Sequence, residues 1–278
     1  DTENRFLAMA EKEGSKLELI AGTDILWKKD IEGNIEHIFV NKNGYVSIII
    51  TGTSHNNVII TYNLEGTELF RTFLSQTTAI DVEISNDNKY LAYGEVDVTG
   101  SFIQSNVKII SIEKAQTDPS NAIEYIYPSE SQELIIELKY QDNNKLICMY
   151  DDSIHTIENK EDKKILDISN TKNTFADVNL KNNIVCITEK ATGLFANIDV
   201  EITNTANGKT NVYNIEGVAS ALETFENIIA INLGTEVDFI DTNGWLIKRY
   251  NSSTEINDIL LGEKIAGIVY SDKIEILN

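Results

Sequence analysis

Residues 84–96 read ISNDNKYLAYGEV, a polar turn set between two apolar runs. Asn, Asp and Ser side chains in such a turn hydrogen-bond their own backbone and tolerate left-handed geometry, so the stretch predicts a tight connection between two β-strands. A metal-binding loop is the alternative, and it is disfavoured because related turns in the chain share no acidic residue at one position. The turn therefore indicates architecture rather than chemistry.

The turn and the strand after it recur along the chain. Successive copies begin 39, 45, 56, 38, 44 and 37 residues apart, which suits propeller blades of about 40–45 residues. The copies are NRFLAM (4–9), NGYVSI (43–48), NKYLAY (88–93), NKLICM (144–149), NNIVCI (182–187), ENIIAI (226–231) and EKIAGI (263–268). No stretch holds a helical period, and the sequence predicts an all-β fold, a β-propeller of seven blades of antiparallel strands, with six or eight blades as alternatives.

The fourth strand residue of every copy is small. We expect this column to let neighbouring twisted sheets pack closely. Its members are Ala8, Ser47, Ala92, Cys148, Cys186, Ala230 and Gly267. Equivalent positions in adjoining sheets lie about 10 Å apart, too far for a disulfide, so Cys148 and Cys186 are predicted to be buried free thiols.

A second repeat marks the outermost strand of a blade, where a Gly turn opens an apolar strand. Its copies are AGTDILW (21–27), EGTELFR (65–71), NGKTNVY (207–213) and NGWLIKR (243–249). The second blade is predicted to have strands at about 35–40, 44–51, 58–62 and 67–73, and blade boundaries fall near 31, 75, 130, 170, 216 and 252. The first blade then lacks an initial strand and the last a final one. Since no Pro/Gly-rich linker divides the chain, we expect a single domain over 1–278.

The composition limits the partners. With 44 acidic and 23 basic residues, a formal charge of −21 disfavours nucleic acid and anionic membrane surfaces, because the protein's field repels phosphate. No apolar run approaches the roughly 20 residues that span a bilayer, so a soluble chain is expected. The chain begins at Asp1 without Met, so any signal or anchor is expected upstream of it.

The opening turn also carries a family resemblance. ISNDNKYLA resembles the S-P-D-G-K-x-L-A turn of WD-like and YVTN-like bacterial propellers, with Asn86 in place of Pro and Asn88 in place of Gly. The run AIDVEISNDNKYLAYGEVDVTGSFIQSNVKIISI (79–112), together with ILWKKDIEGN (25–34), looks like uncharacterised membrane-anchored propellers of low-GC Gram-positive bacteria. The resemblance implies an extracytoplasmic propeller tethered through an N-terminal helix absent from this chain. It supplies no catalytic residues.

Motifs of catalysis or cofactor binding are missing from the sequence. His37, His55 and His155 have no second ligand at zinc spacing, and there is no nucleophile elbow, Walker loop or dinucleotide fingerprint. Trp27 and Trp245 fall in predicted outer strands and are expected to serve packing. We therefore expect no cofactor, with a divalent cation such as calcium as the one candidate.

Acidic residues on the predicted first strands are candidates for that cation. First strands line a propeller's channel. Asp81, Asp177 and Asp258 each precede a β-branched residue, so the alternation of side chains along a strand places the acid and the apolar residue on opposite faces. The residues are Asp81, Glu83, Glu137, Asp177 and Asp258. Converging carboxylates would hold a hydrated cation or a cationic ligand. The alternative is that they pair with nearby Lys or with the backbone of the next blade.

Three connections look unusually long: 96–105, 113–121 and 190–196. The first and last join second to third strands and share one rim, and each carries a Gly followed by an aromatic residue, Phe102 or Phe195. Aromatic side chains on loops of a rigid scaffold are plausible partner anchors, although they can also fold back on their own blade.

These features favour a non-catalytic extracytoplasmic binding or scaffolding module that engages a protein or cell-envelope component. Two alternatives stay open: a hydrolase or lyase that uses channel carboxylates, and a small-molecule sensor domain. An enzymatic role is therefore not settled by the sequence.

Overall fold

The computed structural model describes residues 5–11, 14–51, 55–100, 102–129, 132–169, 173–192 and 195–277, without the side chains of 173–174, 191–192 and 195. The described strands form seven small antiparallel sheets, and the protein is a seven-bladed β-propeller. The predicted fold class is confirmed. Contacts group the chain into two compact units, Asp1–Asp167 and Ile168–Asn278. The single-domain interpretation of 1–278 stays a prediction.

The first unit holds blades 1 to 4. Blade 1 consists of β1 (Phe6–Ala10), β2 (Lys16–Ala21) and β3 (Asp24–Asp30), and blade 2 of β4 (Asn34–Val40), β5 (Val46–Thr51), β6 (Asn57–Tyr62) and β7 (Glu68–Leu74). Blade 3 consists of β8 (Thr77–Ile84), β9 (Tyr90–Asp97), β10 (Gln104–Ser111) and β11 (Ile123–Pro128). Blade 4 consists of β12 (Ile135–Tyr140), β13 (Lys145–Tyr150), β14 (Ser153–Glu158) and β15 (Glu161–Asp167).

The second unit holds blades 5 to 7. Blade 5 consists of β16 (Asn173–Asp177), β17 (Asn183–Thr192), β18 (Phe195–Asn204) and β19 (Thr210–Glu216). Blade 6 consists of β20 (Ala221–Phe225), β21 (Ile228–Asn232), β22 (Glu236–Asp241) and β23 (Leu246–Asn251). Blade 7 consists of β24 (Asp258–Gly262), β25 (Ile265–Val269) and β26 (Ile274–Leu277).

The repeats locate the strands correctly. The seven turn-and-strand copies end in β1, β5, β9, β13, β17, β21 and β25, which are the second strands of their blades. In the second repeat, the Gly turn comes before an outermost strand and the rest of the copy lies in it; these strands are β3, β7, β19 and β23. Within the described residues, blade 1 lacks an initial strand and blade 7 lacks a final one, as the spacing predicts.

The small-residue column faces the next blade in four strands and is one place off in two. Ala8 packs in the core between blades 1 and 2. Ala92 packs against blade 4, Ser47 shares its face of β5 with Ile49, which packs against blade 3, and Ala230 packs against blade 7. Cys148 instead faces blade 3, and Cys186 lies opposite Val185 and Ile187, which pack against blade 6.

The turn geometry explains the error in blade 4. The carbonyl of Lys145 accepts the turn-closing hydrogen bond that the carbonyl of Tyr90 accepts in blade 3. Lys145, rather than Leu146, is therefore the equivalent of Tyr90, and the alignment on Asn144 is shifted by one residue. Both cysteines are nevertheless free and buried, as predicted.

The opening turn is architectural. The Ser85 N–H bonds the Tyr90 carbonyl at 2.9 Å, and Asp87 Oδ1 accepts from the Ser85 hydroxyl at 2.8 Å. Asn88 adopts a left-handed φ of 58°, and its Oδ1 accepts from Asn41 Nδ2 in blade 2 at 2.7 Å. The turn therefore joins two blades as well as two strands.

Two of the predicted long loops are regular structure. Within 113–121 the chain forms helix α1 (Ile112–Thr117), capped by the Ser111 side chain, and a short 3-10 helix, Pro119–Asn121. Ile112 and Ala115 are buried in the core between blades 2 and 3, which accounts for the helix. Within 190–196, the described residues 190–192 and 195–196 belong to β17 and β18, which pair up to Thr192 and Phe195.

Candidate functional site: an apolar loop and the first-strand acids

The β9–β10 loop presents three apolar side chains to solvent. Val98, Phe102 and Ile103 are 62%, 65% and 42% exposed. The loop starts from an Asx turn in which Asp97 Oδ1 accepts from the Thr99 N–H at 2.8 Å and from the Thr99 hydroxyl at 2.7 Å. β9 and β10 below it pair in register from Tyr90 to Asp97, so the exposed residues extend from a rigid base.

Phe195, the second predicted rim residue, begins β18 and pairs with Thr192. Its side chain lies outside the described part of the structure. The expectation that Phe102 and Phe195 act on one rim therefore stays a prediction. Sequence reasoning missed Val98 and Ile103, although large apolar residues within a predicted loop were a usable signal.

The predicted acids do lie on first strands, and within each unit the first strands of successive blades contact one another. In the first unit, Asp81 on β8 binds backbone rather than solvent. Its Oδ2 accepts from the Leu138 N–H of blade 4 at 2.6 Å, and its Oδ1 accepts from the Val82 N–H at 2.8 Å. Burial and the neighbouring Glu83 raise the pKa of Asp81 to about 6, against the opposing effect of the two amides.

Glu83, two residues along β8, pairs with a lysine of the next blade. The Lys139 ammonium lies 3.0 Å from Glu83 Oε1, and each side chain is only 19% exposed. Burial lowers the pKa of Lys139, but the carboxylate of Glu83 outweighs it, and the pKa is raised overall. Asp81 and Glu83 thus bind the backbone and a lysine of the next blade, which was the alternative to a cation site.

In the second unit three successive first strands each contribute a carboxylate. Asp177 Oδ1 accepts from the Asn179 N–H at 2.6 Å and from the Thr224 hydroxyl of blade 6 at 2.7 Å. Asp258 is exposed and accepts from the Ile259 N–H at 2.9 Å. Between them on β20, Glu223 has its pKa raised from 4.5 to about 7 by burial and by the charges of Asp177 and Asp258.

Glu223 was missed by the sequence reasoning, although Glu223-Thr224 follows the same pattern of acid then β-branched residue. Among the described residues, no three His, Cys, Asp or Glu side chains are arranged to hold a metal ion. In the second unit the charges of Asp177 and Asp258 act on Glu223, so Glu223 is able to hold a proton near neutral pH.

A buried polar network in blade 4 was also not anticipated. His155 Nδ1 lies 2.9 Å from Asp162 Oδ1, and the Ser153 hydroxyl donates to Glu133 Oε1 at 2.8 Å. Ser105 Oγ of blade 3 donates to the Glu133 carbonyl at 2.8 Å and accepts from the Ile135 N–H at 2.9 Å. The Ser105 bonds therefore fasten blade 3 to blade 4, and the His155–Asp162 contact joins two strands within blade 4.

The sequence of the whole chain matches one family. The chain belongs to the DUF5711 family. This family is described as one of unknown function, and it matches residues 1–278. No curated protein matches the chain in sequence.

Solved propellers are similar to this DUF5711 chain in fold. Hydrazine synthase of Kuenenia stuttgartiensis has a TM-score of 0.60 at 10% identity, over 99% of this chain and 93% of that one. The C-terminal WD40 domain of Sif2 has a TM-score of 0.54 at 12% identity, over 98% and 91%. BamB from Moraxella catarrhalis has a TM-score of 0.50 at 11% identity, over 98% and 93%.

At these identities the likenesses show the fold alone. A WD40-like propeller is compatible with a binding or scaffolding role. No helix in the described ranges has the length and apolar character needed to cross a membrane.

Proposed function

We propose that this DUF5711 chain is a non-catalytic binding or scaffolding module that engages a protein partner through the β9–β10 loop. The observation that carries the proposal is the exposure of Val98, Phe102 and Ile103 on one loop. Large apolar side chains held in solvent on a loop of a rigid sheet are the usual anchors of protein interfaces.

Asp81 and Asp177 support a binding role over a catalytic one. In each of them, one carboxylate oxygen accepts a hydrogen bond from a group of the next blade. A general acid or base needs an oxygen within reach of substrate, and these oxygens are engaged in holding blades together.

The partner is proposed to be a component of the cell envelope. The resemblance of residues 79–112 to membrane-anchored propellers of Gram-positive bacteria supports an extracytoplasmic location and a tether N-terminal to this chain. The charge of −21 supports a partner whose contact surface is neutral or basic.

The test compares proteins captured from envelope extracts of the source cells by three forms of the chain. We expect wild type to recover a protein that the double variant Val98→Ser, Phe102→Ser does not, because the two anchors lose their apolar contact area. Phe73→Ser is the matched control, since Phe73 is 56% exposed on β7 of another blade. Circular dichroism checks that all three forms are folded.

Recovery of the same proteins by wild type and the double variant would show that the loop is not the binding surface. Equal loss in the Phe73→Ser control would show that the effect is not specific to the β9–β10 loop.

A further inference from the structure

A cleft of about 300 Å³ opens between blades 3 and 4, in the first unit. β9 runs from Tyr90, which lines the cleft, to Asp97, where the β9–β10 loop starts. A strand of eight residues spans about 25 Å. The cleft and the proposed partner-binding loop are therefore at opposite ends of the same sheet.

Four tyrosines form the aromatic part of the cleft: Tyr90, Tyr125, Tyr127 and Tyr140. Tyr125 and Tyr127 are two residues apart on β11, so both rings lie on one face of the strand. Their ring centroids are 6.3 Å apart and their planes are inclined by 35°, which makes a nearly continuous aromatic surface.

Tyr127 contributes an unused polar atom. Its hydroxyl is buried and has no hydrogen-bond partner among the described residues. A buried hydroxyl without a partner is costly unless water or a ligand satisfies it.

The opposite side of the cleft is polar. Asn143 and Asn144 come from the β12–β13 turn, and Asn159 and Lys160 form the β14–β15 turn after Glu158. Asn159 and Lys160 have φ values of 53° and 70°, as the central residues of a tight type I′ hairpin do, so this wall is well fixed. The Lys160 ammonium lies 5.1 Å from the Tyr125 ring centroid.

We propose that this cleft binds a neutral saccharide of one or two rings, which goes beyond the proposed partner binding. The C–H faces of a sugar ring pack against aromatic surfaces, and its hydroxyls both donate and accept hydrogen bonds. Side-chain amides and a tyrosine hydroxyl offer the same two capacities. The cleft volume is at the lower end of the range for small-molecule sites, which fits a short saccharide.

The charges of the cleft favour a neutral ligand. Glu158 and Lys160 are of opposite sign and leave the wall close to neutral. A cationic head group is disfavoured because the Lys160 ammonium already occupies the position beside the Tyr125 ring. An anionic ligand is disfavoured by the overall charge of −21.

The test is saturation-transfer NMR on the whole chain with glucose, galactose, N-acetylglucosamine, maltose and chitobiose, followed by titration calorimetry on the sugars that respond. We expect at least one sugar to bind. Tyr127→Phe should weaken the affinity for that sugar about fivefold, which is the effect of one net hydrogen bond. Tyr125→Ser should weaken it at least tenfold, because the aromatic surface is lost. Tyr45→Phe on blade 2 is the matched control and should bind as wild type does.

Three outcomes would overturn the proposal: no response from any of the five sugars, equal affinity of wild type and both cleft variants, or binding of tetramethylammonium in place of sugars. Should Tyr125→Ser fail to fold by circular dichroism, Tyr127→Phe decides the matter, since it removes only one oxygen atom.

Discussion

The first-strand acids show that residues of one sequence pattern can have different surroundings in the fold. Asp81 is half-buried and bound to the backbone of blade 4, whereas Asp258 is exposed and bonds only the next residue's N–H. Alternation placed Val82 and Ile259 in the core and the acids on the other face, as predicted. The choice between backbone partner and solvent was not predictable, because it depends on the blade that packs alongside.

Glu223 gives a testable pH dependence. Its folded-state pKa of about 7 lies above the unfolded value of 4.5, so between these values the native state binds more protons than the unfolded chain. The free energy of unfolding therefore falls as pH rises through this window. Glu223→Gln, which resembles the protonated acid, should raise stability at pH 8 by about 1 kcal/mol after allowance for solvent screening, and should change little at pH 4.5.

Thermal unfolding followed by circular dichroism at both pH values checks this, with a rise in Tm of about 2 °C expected at pH 8. Glu255→Gln is the control, since Glu255 is exposed and should show no such difference. An equal Tm shift for Glu223→Gln at both pH values would contradict the electrostatic explanation.

The strands and their order within a blade were predictable from the sequence. In β13 and β17, the face that packs against each neighbouring blade was not. The turn residues and the spacing of the repeat place all seven second strands. Periodicity of two means that a shift of one residue reverses every side chain, and the alignment on Asn144 made that error for Cys148. Only the hydrogen bond that closes each turn fixes the register, and a sequence does not display it.

Gly94 tests how closely blades 3 and 4 pack. A Cβ added to Gly94 would lie 2.9 Å from Ile135 Cγ1 and 3.1 Å from Cγ2, and Ile135 is 3% exposed in the blade interface. Gly94→Ala should therefore lower the free energy of unfolding by about 1–3 kcal/mol through overpacking. Urea denaturation followed by circular dichroism measures it.

Gly267→Ala is the matched control on β25. Its added Cβ has its nearest contact at 3.4 Å, an ordinary packing distance. We expect it to be close to neutral. A Gly94→Ala protein as stable as the Gly267→Ala protein would show that the two sheets can separate without cost.

At the scale of the whole molecule, the sequence predicts seven blades from one recurring turn, and the seven sheets confirm it. The proposed binding surfaces are harder to predict from sequence repeats. The cleft between blades 3 and 4 combines residues from the strands β9 to β14 and from two turns, and these residues are up to 70 positions apart, from Tyr90 to Lys160. No local pattern connects these residues, and only the packing of blade 3 against blade 4 brings them together.

The two cysteines can test whether the chain unfolds as a single domain, because Cys148 lies in the first unit and Cys186 in the second. Burial raises the pKa of Cys186 to about 12 and that of Cys148 well above its ordinary value, so both thiols should be inert in the folded protein. Cys148→Ala and Cys186→Ala each leave one thiol to be labelled during urea unfolding. Because one repeat builds every blade and no Pro/Gly-rich linker interrupts the chain, we expect labelling of each thiol to coincide with loss of the circular dichroism signal of the same variant. Labelling of Cys186 at a clearly lower urea concentration than the circular dichroism midpoint would mean that the second unit opens by itself, and the single-domain prediction would be wrong.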